Sequence, residues 1–368
     1  MDQQSGNELR DINYTIRGIH MSSTLALPGA IHAHTSYSDG SGSFPEVIAA
    51  AQEAGLRWII VTDHDTLAGR SYAGWHDGLL VIVGHEITPA RNHFLALNVD
   101  QVIDKTLAPQ QFVDAVYAQG GFGIIAHPDE QAANRFKRIY RWENWEVDGP
   151  REREGRVVGI ELWNMMSDWG ESLTNWNVLL HILMPRFGMR GPTPATLAWW
   201  DQLNMAGRRT FGIGGVDAHA FRRRLPWGWL EVFPYRWSFS TLTNYLLLDE
   251  PLSAEANLAT NQVYGALVGG RSYFVNRLDG DGAALCFEAR RGDERFRPGE
   301  MASLAAGPLT IMADAGCNAY LRLIGDGRPL ASGVRALRQS IAQPGIYRLE
   351  GYWGGKPWLY SNPIYIYA

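Results

Sequence analysis

Short apolar runs recur along the first two thirds of the chain, and each is bordered by polar residues capable of chemistry. Ala30-Ile31 leads into His32-Ala-His34, Trp58-Ile-Ile-Val61 into Thr62-Asp63-His64-Asp65, and Leu79-Leu-Val-Ile-Val83 into Gly84-His85-Glu86. His93 opens Phe94-Leu-Ala-Leu-Asn98. Gly123-Ile-Ile-Ala126 runs into His127-Pro128, Val157-Val-Gly-Ile160 into Glu161-Leu-Trp-Asn164, and Thr210-Phe-Gly-Ile-Gly214 into Gly215-Val-Asp217-Ala-His219. Apolar runs this short, bounded by glycine and polar residues, predict buried strands. Helical patterns lie between them. Ser43 caps a segment with an early proline that closes at Gly55, Gln110 to Gln119 stops at Gly120-Gly121, and Pro194–Met205 stops at Gly207. Strands alternating with helices predict βα units, a parallel sheet and an α/β fold. So many chemically useful strand ends suit a closed barrel, where functional groups gather at the C-terminal ends of the strands.

The pattern changes after about residue 225. A helix is expected over 240–248 and another near 255–260, closing the first unit. Beyond Ala266, strand-like runs such as Ser272-Tyr-Phe-Val, Leu309-Thr-Ile-Met and Gly345-Ile-Tyr-Arg-Leu-Glu are separated by Gly-containing turns. This predicts a small antiparallel β-sandwich with a structural or lid role. The expected organisation is therefore a polar N-terminal extension (1–26), a barrel (27–262) and a β-rich C-terminal unit (263–368). Residues 131–155 and 165–192 interrupt the barrel pattern and are expected to be insertions near its mouth.

Composition narrows the function. The 368 residues carry a net charge of −5, without a dense Lys/Arg tract, which argues against a nucleic-acid partner. Two cysteines are too few for a disulfide framework or for cysteine-based metal ligation. The N-terminus lacks the apolar core of a signal peptide and no run is long enough to cross a bilayer, so a soluble, cytoplasmic protein without a membrane partner is expected. Composition leaves the oligomeric state open.

The candidate chemistry is metal binding. On a strand, residues i and i+2 share a face, so His32 and His34 would aim at one point. Collected from the strand ends, His32, His34, Asp39, His64, Glu86, His93, His127, Asp217 and His219 are all residue types that bind divalent ions. Six of the ten histidines in the chain belong to this set. One ion takes about four to six ligands, so nine imply two or three ions, with Glu86 the candidate bridge. His85 should point away from Glu86.

These motifs resemble the polymerase-and-histidinol-phosphatase (PHP) superfamily. They are His32-x-His34 with Ser-Asp39-Gly, Thr-Asp-His64-Asp, Gly-x-Glu86, His93-Phe-Leu-Ala-Leu, Ala-His127-Pro, Gly-Ile-Glu161-x-x-Asn164 and Gly-x-Asp217-Ala-His219. The resemblance spans about residues 30–225 and fills all nine positions of the family's metal set in order. The end of the chain, with Pro357-Trp-Leu-Tyr-Ser-Asn-Pro-Ile-Tyr, is similar to the β-rich tail of certain bacterial members. The family implies a distorted (β/α)7 TIM-like barrel holding two or three Mn, Zn or Fe ions. By the resemblance, His32, His34, Glu86 and Asp217 hold the first ion. Glu86, His93 and His127 hold the second, and Asp39, His64 and His219 the third. Asp63 and Asp65 are expected to orient ligands.

The expected activity is hydrolysis of a small-molecule phosphate ester by a metal-bridging hydroxide. Glu86, Asp217 and His219 would lie at the reacting centre, and Arg91, Arg190 and Asn164 would bind substrate. Trp199-Trp-Asp201-x-Leu resembles a branch that includes carbamate hydrolases, so a carbamate, ester or amide hydrolase is the alternative. A nuclease module is disfavoured by the charge and by the lack of a polymerase motif. A non-enzymatic metal site is disfavoured because a purely structural site needs only four ligands.

Overall fold

The computed structural model describes residues 25–128, 130, 142, 158–226 and 228–368. All but the last two residues of the expected N-terminal extension, Leu25 and Ala26, which begin a strand, and almost all of the first expected insertion lie outside these residues. In chain order the N-terminal half contains β1 (Leu25–Ile31), α1 (Phe44–Glu53), β2 (Trp58–Val61), β3 (Gly74–His76), β4 (Leu79–Val83), β5 (His85–Ile87), β6 (Phe94–Leu97), α2 (Pro109–Ala118), β7 (Phe122–Ile125) and β8 (Gly159–Asn164). The second insertion supplies α3 (Met165–Glu171) and α4 (Val178–Leu183), followed by α5 (Pro194–Met205) and β9 (Gly212–Gly215). A hairpin of β10 (Phe221–Leu225) and β11 (Gly228–Val232) precedes α6 (Tyr235–Phe239), β12 (Leu242–Leu248), α7 (Ala256–Val268) and β13 (Ser272–Asn276).

Local sequence explains most of these elements. Helix α1 begins at Ser43, whose backbone N–H donates to Glu46 Oε2 at 2.7 Å, and it buries Phe44, Val47, Ile48 and Ala51 on one face. Strands β2, β6 and β7 are buried at every position, as expected of continuous apolar runs covered on both faces. β1–β2–β4 are parallel, as are β7–β8–β9, while β6 runs antiparallel to both β5 and β7. The two groups meet twice: β2 and β5 are joined by a bridge between His64 and Glu86, and β9 and β1 by a bridge between Ala33 and Ala218. Gly84, between β4 and β5, lets the chain pack closely on β6, because a Cβ there would lie 2.5 Å from the Ala96 carbonyl oxygen. Both bridges sit at strand ends, where the expected metal ligands are carried.

The segment expected to be a helix at 240–248 is instead strand β12, with all seven residues buried. It pairs antiparallel with β1 on one edge and β13 on the other. Its Leu-rich run is compatible with either state, and the two open strand edges decide the outcome. The short helix expected near 255–260 extends to Val268 as α7, so residues 262 and 263 lie inside one helix. The change of character along the chain occurs instead across a sheet. Leu242, Leu246 and Phe274 face the first hydrophobic core, whereas Tyr245, Leu247, Tyr273 and Val275 face a second.

That second core belongs to β14 (Cys286–Arg291), β15 (Glu294–Phe296), β16 (Met301–Ser303), β17 (Leu309–Asp314), β18 (Tyr320–Gly325), β19 (Arg328–Val334), β20 (Ala336–Ile341), β21 (Gly345–Trp353), β22 (Lys356–Ser361) and β23 (Ile364–Tyr367). One sheet has the order β15-β14-β17-β20. The rest join the larger sheet through β22–β13. Among the described residues, no helix is long and apolar enough to cross a membrane.

Candidate metal centre

All nine expected ligands converge. Glu86, in the middle of β5, is their hub. Its Oε2 lies 3.2 Å from His32 Nε2, 3.4 Å from His34 Nε2 and 3.0 Å from His64 Nδ1. Its Oε1 lies 2.9 Å from His93 Nδ1 and 3.3 Å from His127 Nε2. Asp217 Oδ1 approaches His34 Nε2 at 3.2 Å and His32 Nε2 at 3.4 Å. Asp39 Oδ1 lies 3.2 Å from His64 Nε2 and 3.1 Å from His219 Nε2. Four groups bring their donor atoms within 4.8 Å of one another: His34, Asp39, His64 and His219; His32, His34 and Glu86; His32, His127 and Asp217; Glu86, His93 and His127.

The convergence of His32 and His34 does not arise from strand alternation. β1 ends at Ile31, and His32 sits at φ +73°. His127 at φ +28° and Asp217 at φ +49° are also left-handed. Non-glycine residues in this region are sparsely populated and costly, and their concentration among the ligands marks backbone held for function.

The electrostatics fit divalent cations. His34 is fully buried, and neither of its ring nitrogens makes a hydrogen bond, although Nε2 is close to Asp217. Burial pushes its pKa down to about 3, so at neutral pH it presents a bare nitrogen lone pair. Burial would raise Glu86 and Asp217, but the surrounding histidines hold both well below the ordinary carboxylate range. Against the effect of burial, Asp39 and Glu86 raise His64 to about 10, and Glu130 and Glu86 raise His127 to about 9. Buried carboxylates are demanding positive charge from imidazoles that are ordinarily neutral. A divalent ion supplies that charge directly and uses the free lone pairs, so this donor set fits divalent metal ions.

Residues behind the ligands are only partly those expected. Asp63 accepts from Thr35 N at 2.7 Å and Ser38 Oγ at 2.6 Å, thereby ordering the loop that carries Asp39. Asp65 binds Thr88 and Lys105. Neither carboxylate is shown contacting a ligand histidine. That task falls to Glu161, whose Oε1 lies 2.6 Å from His32 Nδ1 and whose Oε2 accepts from the His127 backbone N–H at 2.7 Å. Gly215 makes room for it, since a Cβ there would fall 1.7 Å from Glu161 Oε1. The glycine-rich run Gly212–Gly215 was the available sequence signal for such an occupant. His85 turns away, with Nε2 accepting from Ile103 N at 3.3 Å.

The three expected substrate residues differ. Arg190 lines a cavity of about 40 Å3, together with His127, Glu130, Glu161, Asn164 and Thr193. That is room for a few waters or one compact polar group. Asp168 Oδ1 accepts from Arg190 Nε at 2.9 Å, and Glu171 Oε2 accepts from its Nη2 at 3.3 Å. Asn164 braces the ligands, donating from Nδ2 to Glu161 Oε2 at 2.9 Å. Arg91 is exposed and does not line this cavity.

Residues 30–124 match the PHP domain family. The chain is 28% identical to an uncharacterized protein of Methanocaldococcus jannaschii, over 27% of this chain and 66% of that protein. It is 32% identical to phosphoribosyl 1,2-cyclic phosphate 1,2-diphosphodiesterase of Eggerthella lenta, over 19% of this chain and 30% of that protein. The chain thus spans less than two thirds of the length of either curated relative. Among solved structures it is similar to a two-domain protein from Bacteroides vulgatus containing a predicted PHP-like metal-dependent phosphoesterase, at 16% identity and a TM-score of 0.43, covering 93% of this chain and 97% of that one.

Proposed function

We propose that this protein is a metal-dependent phosphoesterase acting on a small-molecule phosphate ester. The carrying observation is the placement of Glu86 among five imidazoles, with Asp217 and Asp39 completing overlapping donor groups. In this reading β1, β2, β4–β5 and β6–β9 form a distorted seven-stranded barrel, and the C-terminal strands form a β-sandwich against its outer wall. His32, His34, Glu86 and Asp217 would hold one ion, Glu86, His93 and His127 a second, and Asp39, His64 and His219 a third. When bound, such ions would supply Lewis acidity and lower the pKa of a water for displacement at phosphorus.

The chain's own residues prepare that site. Glu161 fixes the His32 ring and the His127 backbone, so that less reorganisation is needed when the ions bind. Asp217 and His219, on one tight turn after β9, tie two donor groups together. Arg190, held by Asp168 beside His127, is placed to take a phosphoryl or other anionic group through its guanidinium. Arg91 is a second candidate cation on the segment that carries His93. Residues Trp200 and Asp201, which motivated a carbamate-hydrolase reading, are engaged elsewhere: Trp200 Nε1 donates to the Thr210 carbonyl, and Asp201 pairs with Arg348.

The test is a panel of small phosphate mono- and diesters, aryl carbamates and single-stranded DNA, offered to protein reconstituted with Mn, Zn or Fe. Turnover confined to phosphate esters is expected. Turnover of carbamates alone would overturn the assignment.

A further inference from the structure

His32 and His127 each direct one ring nitrogen inward toward Glu86. Behind His32 stands Glu161. Behind His127 stands a second carboxylate, Glu130, with Oε1 3.6 Å from His127 Nδ1. Glu130 is only 3% exposed, an expensive place for a carboxylate without work to do. It is also held: Ser167 Oγ donates to Glu130 Oε1 at 2.6 Å.

The two carboxylates are joined through the start of α3. Asn164 donates to Glu161 from its side-chain amide, and its Oδ1 accepts the Ser167 backbone N–H at 2.9 Å, capping the helix. Ser167 then holds Glu130. One helical turn therefore sets the positions of the groups behind both histidines.

We infer that Glu130 is a positioning residue for metal binding, acting through His127, and that Ser167 keeps it in place. A carboxylate on the far side of an imidazole fixes the ring's tautomer and orientation and increases its donor strength. Loss of such a partner ordinarily weakens metal binding by about 10- to 100-fold. The inference rests on the metal reading of the site but not on the choice of phosphate ester as substrate.

The experiment is Zn2+ titration of metal-free protein against a chromophoric chelator, for wild type, Glu130→Gln and Ser167→Ala. Glu130→Gln preserves shape and removes charge. Its weakest-bound Zn2+ is expected to dissociate about 10- to 100-fold more readily than in wild type, and Ser167→Ala is expected to shift in the same direction by less. Wild-type affinity at every site in a folded Glu130→Gln protein would overturn the inference. Should Glu130→Gln fail to fold, unchanged affinity in Ser167→Ala would do so. Wild type that binds no Zn2+ would instead remove the metal reading, and a metal-binding protein inactive on phosphate esters would remove only the substrate assignment.

Discussion

Two buried polar clusters in this molecule are built on opposite principles. In the C-terminal half, Arg348 donates from Nε to Asp201 Oδ1 at 2.6 Å, from Nη2 to Asp201 Oδ2 at 2.7 Å and from Nη1 to Glu350 Oε1 at 2.7 Å. Glu350 also accepts from Arg322 and from Tyr352, and the Arg348 guanidinium lies over the Trp200 ring. Two arginines match two carboxylates, and the directional bonds are made. The centre around Glu86 has carboxylates facing ordinarily neutral imidazoles, and His34 has two nitrogens without a hydrogen bond. A satisfied cluster pins α5 to β21. The other, with His32, His127 and Asp217 in left-handed backbone, leaves the His34 nitrogens free to act as donors.

The sharpest way to break this contrast is Glu86→Gln. Metal affinity should fall by more than about 100-fold, beyond the range typical for loss of an outer partner. Zn2+ at 100 times its Kd should stabilise wild type by about 2.7 kcal/mol in a denaturant melt, and should not stabilise the variant. An equal shift in both would show that Glu86 is not the hub.

Arg348→Met tests the other cluster. It strands Asp201 as a buried charge without its arginine, leaves Glu350 to Arg322 and Tyr352, and should cost about 3–5 kcal/mol in urea unfolding of the metal-free protein, with Zn2+ stoichiometry unchanged. A cost below about 1 kcal/mol would make the network a surface-like pair.

A smaller effect follows from pH. Burial alone would raise the Glu350 carboxyl, but Arg348 and Arg322 outweigh it and hold it below the ordinary range. A depressed folded value gives stabilisation that is complete above the unfolded value of about 4.3 and is lost as pH falls through the folded one. Urea unfolding of metal-free Glu350→Gln should therefore differ most from wild type near neutral pH, and the gap should narrow below about pH 4. A gap that widens in acid would reverse the assignment.

The smallest effect is at the residue adjoining the hub. His85→Leu removes only the acceptor for Ile103 N–H and should cost about 1 kcal/mol with metal content intact. Loss of bound Zn2+ would place His85 in the centre after all.

The strand-end histidines and acids were legible because each is announced by a local pattern, an apolar run followed by a ligand type, that survives without knowledge of neighbours. β12 was not legible as a strand: seven residues rich in leucine satisfy a helix or a buried strand, and only the open edges of β1 and β13 choose between them. Asp63 and Asp65, expected to orient ligands, instead hold Thr35 and Ser38, and Thr88 and Lys105, partners that their place beside His64 in the chain does not reveal. Glu161 reaches His32 from 129 positions away, and Glu130, three residues after His127, is held by Ser167 from 37 positions away. Asn164 reads as a substrate residue in isolation and becomes a brace only beside Glu161.

Local patterns alone pointed to most of the alternation of strands and helices and to the nine candidate donors, because these depend on residue type and short spacing. The tertiary structure decided which carboxylates stand behind the histidines, which charges are satisfied and where one core ends and the next begins. Those properties are relations between distant segments, set by which surfaces pack together when the sheet edges close.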